Sequence, residues 1–196
     1  MVAELPENYA LPSAVRDFFF ATEAQGLEVA FQRLCLAVSE PGPAIGDWEQ
    51  EEFAFNRCFI GPGTVIAPPF ASVYLDPEPL LMGRATLLAR QVYSLLGLES
   101  PWRDSLPDDH LSLELDALMA LGTLAGRYDD SQLQELYRFF LQDHLCVWAA
   151  EFVDRLSHSH QVTPAIAFVA RHLLNWLHSE RDCLDSAGLS HAGHAS

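Results

Sequence analysis

Apolar residues recur along most of this chain at three- and four-residue spacing, and two-residue alternation is nearly absent. Leu11 to Ala24 and Leu27 to Val38 are apolar-rich, with Gly26 as the break between them. Trp48, Phe55 and Phe59 share one helical face. Thr86 to Leu96 carries Leu87, Ala89, Tyr93 and Leu96 and stops at Gly97. A run from His110 to about Ala125 ends at Gly126. Ser131 to Leu141 follows, with Asp129 and Asp130 as cap candidates. His144 to Leu156 places Leu145, Trp148, Phe152 and Leu156 close to helical spacing. Val162 to Leu184 does the same with Ile166, Val169, Leu173 and Leu177, and Trp148 and Trp176 are core candidates. Only Ala71 to Leu75 reads as a short strand.

This pattern predicts an all-α fold: a globular bundle of about eight or nine helices, not a coiled coil. Residues 1–98 form an N-terminal lobe and residues 107–185 a C-terminal lobe, joined by a polar hinge over residues 99–106 within one compact domain. Residues 186–196 carry no pattern and are expected to fray as a flexible tail. Two apolar helical sets joined by a polar linker are compatible with a monomer or a lobe-swapped dimer.

A chain of 196 residues can bury a sizeable core. Its 11 basic and 27 acidic residues give a formal net charge of −16. That balance repels phosphate backbones, so nucleic acid is not an expected partner, and it attracts basic ones. No run of 18 apolar residues occurs, so no stable membrane insertion is expected. The start, Met1 to Tyr9, has neither a basic nor an apolar signal region. Cys35, Cys58, Cys146 and Cys183 lie far apart without a CxxC pair, which fits reduced thiols in a cytoplasm. Their spacing supports no zinc or iron–sulfur site, and no cofactor is expected.

Two stretches stand out. Leu106-Pro107-Asp108-Asp109-His110 precedes an apolar helical run. Pro107 suits a first helical turn, and Asp108 and Asp109 would then meet the positive end of the helix dipole, worth roughly 0.3–1 kcal/mol each. Read that way, the segment is a helix start and nothing more. Read functionally, His110 beside two carboxylates, with Glu114 one turn on, can bind a guest peptide or a divalent metal. The metal alternative makes the chain a hydrolase using Asp108, Asp109, His110 and Glu114, although no HExxH motif is present. The second stretch, Phe59 to Asp76, is rich in proline, glycine and apolar residues. It is either a buried connector or the wall of a groove for an apolar peptide. Nucleophilic catalysis has no support: there is no GxSxG and no glycine-rich phosphate loop.

Together these stretches resemble the TorD/DmsD family of chaperones for exported molybdoenzymes. The resemblance rests on Phe55-Asn-Arg-Cys-Phe-Ile-Gly-Pro62 with Pro68-Pro-Phe-Ala-Ser-Val-Tyr-Leu-Asp76. It continues in Leu80-Leu-Met-Gly-Arg-Ala-Thr-Leu87, then in Pro107-Asp-Asp-His-Leu-Ser-Leu-Glu-Leu115 and Phe140 to Trp148. Leu106 stands where such proteins usually carry an acidic residue, and Gly63 where some carry an aromatic one. What the resemblance implies is a cytoplasmic, non-catalytic chaperone. It would bind the twin-arginine leader of a DMSO/TMAO-reductase-like enzyme and hold the apoenzyme until its cofactor is inserted and Tat export follows. The expected peptide-binding residues are Pro68, Pro69, Phe70, Ser72, Tyr74, Asp108, Asp109, His110 and Glu114.

Overall fold

A computed structural model describes residues 9–77, 83–98 and 106–192, with side chains to residue 186. The hinge segment 99–105 and the Leu80–Met82 part of the second motif lie outside the described residues. The regular elements of the described residues are helices: α1 (Ala10–Phe20), α2 (Ala24–Val38), α3 (Trp48–Phe59), α4 (Ser72–Leu75), α5 (Arg84–Leu95), α6 (Leu111–Arg127), α7 (Ser131–Phe139), α8 (Cys146–Ser157) and α9 (Pro164–Ala192). A π-helical turn, Phe140–Leu145, joins α7 to α8 without a break. The β-pairing in the described residues is one antiparallel bridge between Phe70 and His110.

The core follows the apolar stripes. α1 packs on α2 and α6, and α8 on α9. Phe18 and Phe19 of α1 meet Phe55 and Phe59 of α3 and Phe152 of α8, mostly edge to face at 4.8–6.4 Å between ring centroids. Each such ring contributes about 1.5–3 kcal/mol by leaving water, and the edge-on geometry adds to it. Trp148 and Trp176 are both buried, as their helical positions predict.

Several boundaries differ from the pattern. Ala71 to Leu75 is helical rather than a strand; its first turn is fixed by a carboxylate from elsewhere in the chain, which local propensity cannot register. α1 stops at Phe20 and not at Ala24. Gly26 lies inside α2, where a Cβ would come within 3.2 Å of the Cβ of Ala21. It therefore permits the tight α1–α2 corner rather than breaking a helix. Gly126 also lies within a helix, since α6 runs to Arg127. α9 continues to Ala192 past the end of its apolar stripe. A formed helix extends cheaply once nucleated, so its backbone can run on past the stripe.

Candidate functional site

The main-chain N–H of His110 donates to Pro107 O (3.1 Å), closing a turn over Pro107 to His110. Helix α6 begins only at Leu111, with His110 as its N-cap: the ring Nδ1 accepts from Ser112 N at 3.2 Å. Asp108 and Asp109 therefore precede the helix instead of forming its first turn. Their carboxylates point sideways into the protein.

Asp109 is fully buried. One carboxylate oxygen accepts from Ser72 N at 2.8 Å and the other from the Thr86 hydroxyl at 2.7 Å. The main chain repeats the link, as Ala71 N donates to Asp109 O (3.0 Å) and Leu111 N to Pro69 O (2.9 Å). Asp108 accepts from Arg90 Nε at 2.6 Å. The Tyr93 hydroxyl donates to Leu113 O. Thus α4, α5 and the start of α6 are stitched together by polar contacts through Asp108 and Asp109.

Glu114 faces the other way, into the bundle. Its carboxylate meets His144 Nε2 at 2.7 Å and accepts from Trp148 Nε1 at 2.8 Å. Burial pushes the Glu114 carboxyl up, against the pull of His144 and Trp148. Burial alone would lower the His144 imidazole, but the Glu114 carboxylate outweighs it and raises it. The π turn places His144 and Trp148 one turn apart on the same inward face, the kind of local rearrangement such turns produce. Tyr74 completes this layer. Its ring stacks on Trp148 at 5.6 Å, its hydroxyl donates to Pro68 O at 2.9 Å, and the Arg155 guanidinium lies 4.3 Å above it.

On the outer side of the Phe70–His110 bridge lies an apolar pocket of about 450 Å³. Its walls are Phe19 and Phe20 of α1, the Ala21–Thr22 corner, Phe55, Phe59 and Ile60 at the end of α3, Pro69, Phe70, Leu106 and His110. His110 stands edge-on to Phe70 at 5.1 Å. Phe20 also borders a smaller recess carrying Asp17 and Asp116, which Arg16 holds at 2.8 and 2.7 Å. Arg33 pairs with Asp17 as well.

Of the nine expected peptide-binding residues, the structure brings Pro69, Phe70 and His110 to the pocket wall. Pro68 and Tyr74 are joined to each other just behind it. Ser72, Asp108, Asp109 and Glu114 are buried, with Asp108, Asp109 and Glu114 bonded inside the protein. The sequence reading missed Phe19, Phe20, Phe55, Phe59, Ile60 and Leu106 as wall residues. One signal was present: Phe18-Phe19-Phe20 are consecutive, and a helix turning 100° per residue cannot send all three to one core face. The four residues of the hydrolase alternative point to separate partners, and no group of three metal-binding side chains converges among the described residues.

Burial drives the His110 imidazole down to about 4, partly offset by the Asp109 carboxylate, so the ring is neutral at pH 7. An unfolded histidine titrates near 6.5. Between about pH 6.5 and 4 the unfolded chain therefore binds a proton that the folded chain refuses, and stability falls as pH falls through that window. The slope from this residue is at most about 1.4 kcal/mol per pH unit. Urea denaturation of wild type and His110→Asn between pH 4 and 7 checks this. The variant should show a flatter decline, and equal slopes would refute the assignment.

Residues 21–154 match the nitrate reductase delta subunit family. The Tat proofreading chaperone DmsD of Salmonella paratyphi A is 32% identical over 101 residues, covering 52% of this chain and 46% of that protein. The chaperone TorD of Vibrio cholerae (strain O395) is 29% identical over 142 residues, covering 69% and 64%. The TorD of a Psychrobacter species is 27% identical over 195 residues, covering 94% and 82%. The chain thus spans about half the length of the DmsD relatives it matches. A redox enzyme maturation protein from Archaeoglobus fulgidus shares the fold, with a TM-score of 0.57 at 20% identity over 88% of this chain and 93% of that one. With a bundle of the same fold and a family match across most of its length, this chain belongs to the nitrate reductase delta subunit family, among relatives named TorD and DmsD.

Proposed function

We propose that this protein is a cytoplasmic, non-catalytic chaperone that proofreads Tat export of a molybdoenzyme. It binds the twin-arginine leader of a DMSO/TMAO-reductase-like precursor and holds the apoenzyme until cofactor insertion. The observation that carries this reading is the apolar pocket walled by Pro69, Phe70, Leu106 and His110. A leader joins a basic stretch to an apolar one. The pocket suits the apolar stretch, and a net charge of −16 attracts the basic one. Pro69, Phe70 and His110 act as contacts in this reading. Ser72, Tyr74, Asp108 and Asp109 position the wall from behind, and Glu114 acts at one remove by holding Trp148, on which Tyr74 stacks.

The test is calorimetric titration of a synthetic leader-type peptide, two arginines followed by an apolar run, into the purified protein. Ile60 lies at the pocket and is largely exposed, so Ile60→Asp should leave melting unchanged while weakening the peptide tenfold or more, since burying one aliphatic side chain is worth about 1.5–3 kcal/mol. Raising salt should weaken binding without abolishing it, because only the charge component is screened beyond about 8 Å at physiological ionic strength. Wild-type affinity in Ile60→Asp would remove the pocket from the mechanism.

A further inference from the structure

His110 is the polar side chain in a wall otherwise made of rings and aliphatic groups, apart from Thr22. Its Nδ1 accepts a hydrogen bond from the Ser112 N–H, so Nδ1 carries no proton. A neutral imidazole with Nδ1 bare carries its hydrogen on Nε2. That N–H is a donor on a residue only 6% exposed. It makes no hydrogen bond within the described protein, yet it is not among the fully enclosed orphan atoms, which are Ser72 Oγ, His172 Nε2 and Trp176 Nε1. Among the described residues, the opening onto which the ring faces is the pocket that it lines. A guest that fills this pocket expels the water Nε2–H can otherwise use, and a buried donor without an acceptor is costly.

We propose that His110 Nε2–H donates to a main-chain carbonyl of the bound peptide, so that the pocket favours an apolar segment with a free carbonyl at the point of contact over one that is helical there. The acceptor has to be main-chain, because the side chains of an apolar segment offer none. Within a continuous helix each carbonyl already accepts from the N–H four residues on and can take only a second, sideways bond, as Leu113 O does from the Tyr93 hydroxyl, whereas extended chain and the last turn of a helix leave carbonyls free. A fully helical guest would therefore offer the His110 donor only a carbonyl already engaged along its helix axis. An extended guest, or one ending its helix in the pocket, would satisfy it. The same apolar composition thus binds differently according to backbone conformation, a criterion that apolar contact by itself cannot supply.

The inference rests on the leader-binding reading, and the experiment separates the two. The leader-type peptide is made as a series with one amide at a time replaced by an ester along its apolar run. Each replacement makes the preceding carbonyl a poorer acceptor with little change in shape. One position should lose affinity for the wild-type protein about tenfold, the loss matching one hydrogen bond, and this position should become insensitive in His110→Asn. Asn keeps a side-chain acceptor for the α6 N-cap but does not reach as far as Nε2, so the helix start survives. In the wild type, the Nε2 nitrogen and proton resonances of His110 should shift when peptide is added. A peptide that binds with no ester-sensitive position and no shift at Nε2 overturns this inference and leaves the leader reading standing. Failure of the unmodified peptide to bind overturns both.

Discussion

Glu114→Ala is expected to destabilise the protein by about 3–5 kcal/mol, the range found when one member of a buried charged pair is removed. Glu114 is fully buried and satisfies both His144 Nε2 and Trp148 Nε1. The truncation leaves two donors without an acceptor in the centre of the bundle and opens a cavity beside Trp148. Glu114→Gln keeps one amide oxygen for the indole and should cost clearly less. Urea denaturation read by tryptophan fluorescence measures both, and a loss below about 1 kcal/mol for the alanine variant would refute the role given to Glu114. The pair also has a pH signature opposite to that of His110. Both Glu114 and His144 are raised in the fold. The folded pair holds protons that the unfolded chain releases. Its contribution is complete below the unfolded values and declines as pH climbs through the folded ones.

Asp109→Ala is expected to cost about 3 kcal/mol, because two hydrogen bonds to a buried charged group are lost, each worth about 1.5–3 kcal/mol and not fully additive. This exceeds the roughly 0.3–1 kcal/mol of a helix-dipole contact, which is what a place in the first turn of α6 would have implied. Asp109→Asn can still accept from Ser72 N and can donate to the Thr86 oxygen, so it should retain most of the stability. Leader affinity should follow the same order, since Ser72 begins the helix immediately after the Pro69–Phe70 wall. Chemical denaturation and peptide titration on the two variants, side by side, check the order. An alanine variant that melts with the wild type would remove Asp109 as the anchor of that wall.

The helices were legible because their apolar spacing is local. Trp148, Phe152 and Leu156 announce α8 within nine residues, and Asp130 caps α7 as expected. The interest of Asp108, Asp109 and His110 was also legible, since two acids and an imidazole before an apolar run are unusual in any helix start. Their directions were not. Asp109 finds Ser72 37 residues away and Glu114 finds Trp148 34 residues away. Nothing in the spacing of either carboxylate says which distant donor will arrive. The continuity of α7 into α8 was hidden for a related reason. A π turn shifts the phase of the apolar stripe, so Ser131–Leu141 and His144–Leu156 read as two helices.

The bridge between Phe70 and His110 has a kinetic consequence. One wall of the pocket exists only when residues some forty positions apart have met, with the entropy of closing that loop already spent. Local helices form in microseconds or less, whereas contacts of this sequence separation come later and are set by the topology of the whole chain. A chain emerging from synthesis, or one opened by partial unfolding, can have α1 and α3 in place and still lack this wall. The proposed binding therefore waits on a long-range contact and not on any single helix. A copy in which this bridge has not formed would lack part of the wall that the proposed leader contact needs.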